Sequence, residues 1–151
     1  MRHDEMTGVL PPEIIAIMQN PWTEPFWTAA AEHRLLLPRC TSCLTFRFPP
    51  GPFCHVCRAQ GFESVEWREH DGCGEIYSFT VIRHAVIPDV KAALPVVAAV
   101  VEMNDTGGVR LVGNVVDCSI DEVAIGRAVE IDWYDVRVGD TVAVFRLTQR
   151  G

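Results

Sequence analysis

The sequence is short of positive charge. Thirteen lysines and arginines stand against 20 aspartates and glutamates, for a formal net charge of −7. Proteins that hold nucleic acid draw their affinity from neutralising phosphates, so this deficit argues against nucleic acid as the main partner. Long apolar runs are missing too: the longest, Leu94 to Val101 with Ala92 and Ala93 before it, falls far short of the roughly 20 residues a membrane-crossing helix needs. The N-terminus has no secretory pattern, because Arg2 is followed by Asp4 and Glu5, and the apolar stretch after Gly8 is broken by Pro11, Pro12 and Glu13. The expectation is a cytoplasmic protein that binds neither nucleic acid nor membrane. Internal repeats and phosphate-cradling loops are also absent, since Gly72-Cys73-Gly74 has neither a third glycine nor a helix behind it. A catalytic set is wanting as well. Ser78, His84 and Asp89 can be assembled on paper, but Ser78 lies within an alternating strand pattern, with no strained turn to present it.

What is present is the composition of a folded chain, 48% hydrophobic and 22% charged over 151 residues, which suffices for one ordinary domain or two small modules. Residues 1–33 read as an N-terminal arm followed by helices. Pro11-Pro12-Glu13 opens a short helix that Asn20-Pro21 stops. A second helix starts with Thr23 as N-cap and places Phe26, Trp27, Ala30 and Ala31 on one face. That face either docks on the rest of the chain or awaits a partner. Residues 34–64 are dense in proline and glycine and have no helical period. They are too few to bury a core of their own, so they need a staple. From 65 to 151 the pattern is strand after strand: Ile76–Val81, Pro95–Met103, Val109–Val115, Val129–Tyr134 and Thr141–Leu147, with a short helical turn capped by Ser119 between the third and fourth. Five strands in that order suit an OB-type barrel. Gly72-Cys73-Gly74 reads as a bend before the first of them.

The cysteines carry the strongest chemistry. The cytosol keeps thiols reduced, so six cysteines call for a reason other than disulfides. Cys40-x2-Cys43-x10-Cys54-x2-Cys57 has the spacing of two facing knuckles that offer four thiolates to one tetrahedral zinc ion. Two redox Cys-x2-Cys pairs are the alternative. Four thiolates leave no open coordination position, so the zinc is expected to be structural. His55, inside the second knuckle, is a reserve donor. Cys73 and Cys118 read as small buried residues. The stretch from Arg83 to Leu94 is long for a hairpin connection and mixes Arg83, His84 and Lys91 with Val86, Ile87 and Val90. Loops of this kind on a small barrel often carry function. Arg83 and Lys91 suit phosphates, and the apolar residues suit an apolar ligand.

The ordered motifs are Pro25-Phe26-Trp27, Cys40-x2-Cys43, Phe48-Pro49-Pro50, Cys54-x2-Cys57, Gly72-x-Gly74 with Tyr77-Ser-Phe79-Thr80-Val81, Pro95-Val-Val, and Val144-Phe145-Arg146. Together they resemble the zinc-ribbon plus OB-fold family long catalogued as domain of unknown function 35, over roughly residues 22–148. The resemblance implies a mainly β chain with N-terminal helices, a rubredoxin-like zinc ribbon and a C-terminal five-stranded OB-fold barrel. It implies Cys40, Cys43, Cys54 and Cys57 as zinc ligands. It also implies a non-catalytic partner of a thiolase-fold acyl-CoA enzyme, an aldolase or a thiolase acting in steroid or fatty side-chain degradation, whose acyl-CoA channel this chain helps to shape. On that reading Arg83, His84 and Lys91 are acyl-CoA contacts. Leu44 stands where the family usually carries glycine. Two other functions compete with this one: a stand-alone acyl-CoA binding protein, and a binder of single-stranded nucleic acid, which the acidic strands oppose.

Overall fold

The computed structural model describes residues 5–149. The expected arm begins, and the expected barrel ends, on residues outside that range, as do Arg2 and Asp4. The chain is mainly β. Helix α1 (Glu24–Ala31) leads into strand β1 (Leu35–Cys40), and β2 (Val65–His70) returns antiparallel to it, with Leu35 opposite His70 and Cys40 opposite Val65. The two cysteine knuckles project between these strands. Strands β3 (Cys73–Ile82), β4 (Val96–Met103), β5 (Arg110–Val115), β6 (Ala128–Arg137) and β7 (Asp140–Leu147) close a barrel in the order β3-β4-β5-β7-β6. The closing contact is parallel, Asn114 with Val144 and Val115 with Phe145. All other pairs are antiparallel, which hairpins and short connections permit.

Alternation explains the barrel. In β4, Val97, Ala99, Val101 and Met103 point inward and are buried, while Ala98, Val100 and Glu102 lie between them, less covered. The inner residues join Ile76, Leu111, Val115, Val129 and Phe145 in one core. That core continues into Phe26 of α1 and into Leu35 and Leu37 of β1. Helix and ribbon are therefore packed on the barrel.

Gly72, at φ +82°, makes the bend expected between β2 and β3. Strand β2, before the bend, pairs with β1, and β3, after it, belongs to the barrel.

Two local expectations shift. Thr23 does not cap α1 with its side chain. Its hydroxyl instead accepts from the Asn20 N–H at 3.0 Å, and Asn20 Oδ1 accepts from the N–H groups of Trp22 and Thr23. An Asx turn at Asn20 thus sets the helix start. The buried face is Phe26, Ala29 and Ala30, with Ala31 exposed, so the packed stripe lies one position from the expected one. The face docks: Phe26 meets Trp27 edge-on at 5.0 Å and Phe48 at 5.5 Å. Among the described residues of the arm, only Pro12–Ile14 forms a turn of 3-10 helix. Among the described residues no helix is long and apolar enough to cross a membrane.

Candidate metal centre

The two knuckles repeat one hydrogen-bond pattern. Leu44 N–H donates to the Cys40 carbonyl, and Cys40 N–H donates to the Thr45 carbonyl, at 3.0 and 2.9 Å. Arg58 and Cys54, then Cys54 and Ala59, make the same pair of bonds at the same distances. Each knuckle ends in a small antiparallel bridge, Arg39 with Phe46 and Phe53 with Gln60. The equivalence extends to the backbone, because Leu44 (φ 60°) and Arg58 (φ 64°) both occupy the left-handed region. The short spacing forces this turn, and the family's usual glycine adopts it without strain.

A leucine in that conformation costs about 1–2 kcal/mol. Leu44→Gly should therefore raise the stability of the metal-loaded protein by about 0.5–1 kcal/mol, once glycine's extra freedom in the unfolded chain is counted. Thermal unfolding at saturating zinc checks this, and an unchanged or lower midpoint refutes it.

The pattern brings the Sγ atoms of Cys40, Cys43, Cys54 and Cys57 within 4.8 Å of one another. Cys40 lies 3.6 Å from Cys57, and Cys43 lies 3.6 Å from Cys54. A disulfide requires about 2.05 Å between sulfurs. A zinc tetrahedron with bonds of about 2.3 Å has edges of about 3.8 Å, so the cluster has the size of a metal site. Its acid–base chemistry agrees. The Thr45 hydroxyl, 3.3 Å from Cys43 Sγ, and then the Thr45 backbone hold Cys43 down to about 6. Cys57 receives a lowering hydrogen bond from the Ala59 backbone, yet burial and the other three sulfurs push it up to about 11. Four such thiols do not all ionise beside each other without a cation, and a divalent metal supplies it. Cys40 and Cys54 are buried and Cys57 is exposed, so the centre lies at the surface of the ribbon.

The other sequence-predicted positions are spread out. Arg83 forms an ion pair with Glu5 of the arm. His84 and Lys91 are exposed, and Lys91 sits in a turn of 3-10 helix, Pro88–Ala93. Val86 and Ile87 are also exposed, whereas Val90 is buried. No hydrogen bond among the described residues joins Ser78, His84 and Asp89. Burial first, then Asp71 nearby, pushes the Cys73 thiol up, and burial does the same at Cys118, so neither is poised as a nucleophile.

Sequence reasoning missed how the arm is held. Its backbone is tied at Thr7 to Cys118 and at Gly8 to Pro95. Gly8 lies so close to the Ala93 carbonyl that no side chain fits there. Arg137 donates to the carbonyls of Pro12 and Ile15. The arm thus touches both the β3–β4 loop and the β6–β7 turn, the two loops beside which OB folds take their ligands. A half-open apolar cavity of about 430 Å³ lies elsewhere, between Phe26 and Trp27 of α1, Phe48 of the ribbon, and Val112 and Val142 of the barrel.

The architecture has known counterparts. Residues 27–63 match the family model for the ChsH2 rubredoxin-like zinc ribbon domain, and residues 67–134 match that for the ChsH2 C-terminal OB-fold domain. A DUF35 domain-containing scaffold protein of Methanothermobacter thermautotrophicus is 33% identical over 99 residues, which are 66% of this chain and 71% of that protein. The chain belongs to the DUF35 family. Its zinc ribbon carries the four-cysteine site of the structural zinc, and the OB fold follows it. A probable enoyl-CoA hydratase alpha subunit of Thermomonospora curvata is 39% identical over 122 residues, covering 80% of this chain and 36% of that protein, so the chain spans about a third of it. The solved structure titled Ltp2-ChsH2(DUF35) aldolase superposes with a TM-score of 0.76 at 34% identity, covering 87% of this chain and 98% of that one. A DUF35 protein of unknown function from Sulfolobus solfataricus, 17% identical, shares the fold with a TM-score of 0.60 over 86% of this chain and 87% of its own.

Proposed function

We propose that this chain is a non-catalytic accessory subunit that docks on a thiolase-fold acyl-CoA enzyme and helps shape its acyl-CoA channel. The observation that carries the reading is the likeness to the DUF35 chain of an aldolase over nearly the whole of that chain. Three further observations support it. Relatives carry the name scaffold protein. Among the described residues, the group of side chains placed to hold a metal is the four thiols, a geometry that leaves no position open to substrate. Arg83, His84 and Lys91 are exposed on the loop between β3 and β4, able to face a CoA phosphate at an interface but not to build a reaction centre. In this reading Cys40, Cys43, Cys54 and Cys57 hold the zinc, which fixes the ribbon against β1 and α1.

Co-expression with a thiolase-fold partner tests the docking. A stable complex is expected, with thioester turnover in the complex and none in the isolated chain. Turnover by the isolated chain, or indifference to every such partner, overturns the reading. The cavity between α1, the ribbon and the barrel favours a second reading, a stand-alone acyl-CoA binding protein. Titration calorimetry of the isolated chain with an acyl-CoA separates the two, since the scaffold reading expects weak or no heat without a partner.

A further inference from the structure

Arg47 is 3% exposed, a guanidinium inside a ribbon with little interior. Its Nη2 donates to Ser64 Oγ at 3.2 Å, while Nε and Nη1 have no partner among the described residues. A guanidinium keeps its proton in a protein, and an uncompensated charge in such a place is costly. Compensation by a carboxylate is not to hand. Arg47 forms none of the ion pairs among the described residues. Glu66, the carboxylate on the adjoining strand, is held by Arg39 at 2.5 Å. Glu63 is exposed.

The surroundings of Arg47 belong to the knuckles. Its own N–H donates to the carbonyl of Pro38, two residues before Cys40. The Ser64 that takes its side chain also gives its carbonyl to Thr41, the residue after Cys40. Four thiolates around one Zn²⁺ carry a net charge of about −2, the largest fixed negative charge this ribbon can have.

We infer that Arg47 is the internal counter-charge of the metal centre: its buried guanidinium offsets the excess negative charge of the zinc-bound thiolates and raises their affinity for the ion. Arg47 makes no hydrogen bond to a ligand sulfur. It acts through the field it sets across the ribbon and through the Ser64 contact that holds it there. The inference rests on the zinc reading of the four cysteines.

Zinc affinity of the full chain, measured by competition with a chromophoric chelator, tests it. Metal analysis of the wild-type chain comes first. If the chain binds no zinc, the zinc reading fails and the inference with it. If zinc binds, Arg47→Met should weaken binding by about 10- to 100-fold, the usual range for groups just outside a ligand set, whereas Arg47→Lys should stay within about threefold of the wild type. The cobalt-substituted spectrum should not change in either variant, because the four ligands are the same. A merely structural arginine gives a different result, with Met and Lys weakening zinc equally. That outcome, or an Arg47→Met affinity within about twofold of the wild type, overturns the inference. Should Arg47→Met fail to fold with zinc present, Arg47→Gln against Arg47→Lys decides in the same way, and equal affinities for those two overturn it.

Discussion

Removing zinc, by chelation or by Cys54→Ser, is expected to unfold the knuckles and leave the barrel standing. The ribbon buries few apolar side chains: Leu35, Leu37 and Pro38 on β1 with Cys40 and Cys54, and it also has to hold the polar Arg47 and Ser64 inside. A unit of that size lacks the apolar area to offset its conformational entropy. Structural zinc sites contribute on the order of 10–16 kcal/mol of apparent binding free energy at neutral pH, and in small ribbons that free energy is folding free energy. Hydrogen exchange reads the result directly. The amides of Leu44 and Arg58, which donate back across the two knuckles, should lose protection on chelation. The amide of Val116, which donates to Phe145 inside the barrel, should keep it. Metal analysis should find about one zinc per wild-type chain, as a four-thiolate site requires. Unchanged exchange at Leu44 and Arg58 in metal-free protein would show that the knuckles hold without the ion.

The second large effect lies at the barrel's closure. Phe145 is fully buried and sits on β7 where that strand runs parallel to β5, opposite Val115 and, on its other side, Ile131 of β6. Its ring presses against Gly113, where a Cβ would come within 2.9 Å of it. Phe145→Ala removes the largest fully buried side chain from a place ringed by paired backbone, which has little freedom to collapse into the space. The cost should be about 3–5 kcal/mol, enough to lower the melting temperature by roughly 10 °C in a chain of this length. Denaturant or thermal unfolding of the zinc-loaded protein measures it. A loss under about 1 kcal/mol would mean that the barrel is not closed around this ring.

The barrel and the metal centre were legible because each is written in short-range pattern. Val129, Ile131 and Trp133 alternate with Glu130, Asp132 and Tyr134, and the first set packs on the core, while two Cys-x2-Cys knuckles need only local turns to bring their sulfurs together. The misreadings came where a neighbour decides. Thr23 has the chemistry of a cap, but Asn20, three residues earlier, holds the backbone first. Ala31 has the right spacing for the packed face of α1, but the helix is rotated so that Ala29 takes that place. Arg47 went unread, because nothing in Phe46-Arg47-Phe48 marks it as buried. Only the return of Ser64 to the knuckles encloses it. Glu5 and Arg83 are 78 positions apart, and no local pattern announces their pairing.

The arm's anchors impose an order on assembly. Thr7 meets Cys118 across 111 positions, and Arg137 reaches Pro12 across 125. Contacts of such separation gain nothing until the residues between them are already in place. Residues 5–15 can settle only after β5, β6 and the turn into β7 exist, so this segment is among the last parts of the fold to lock, however early in the chain it stands.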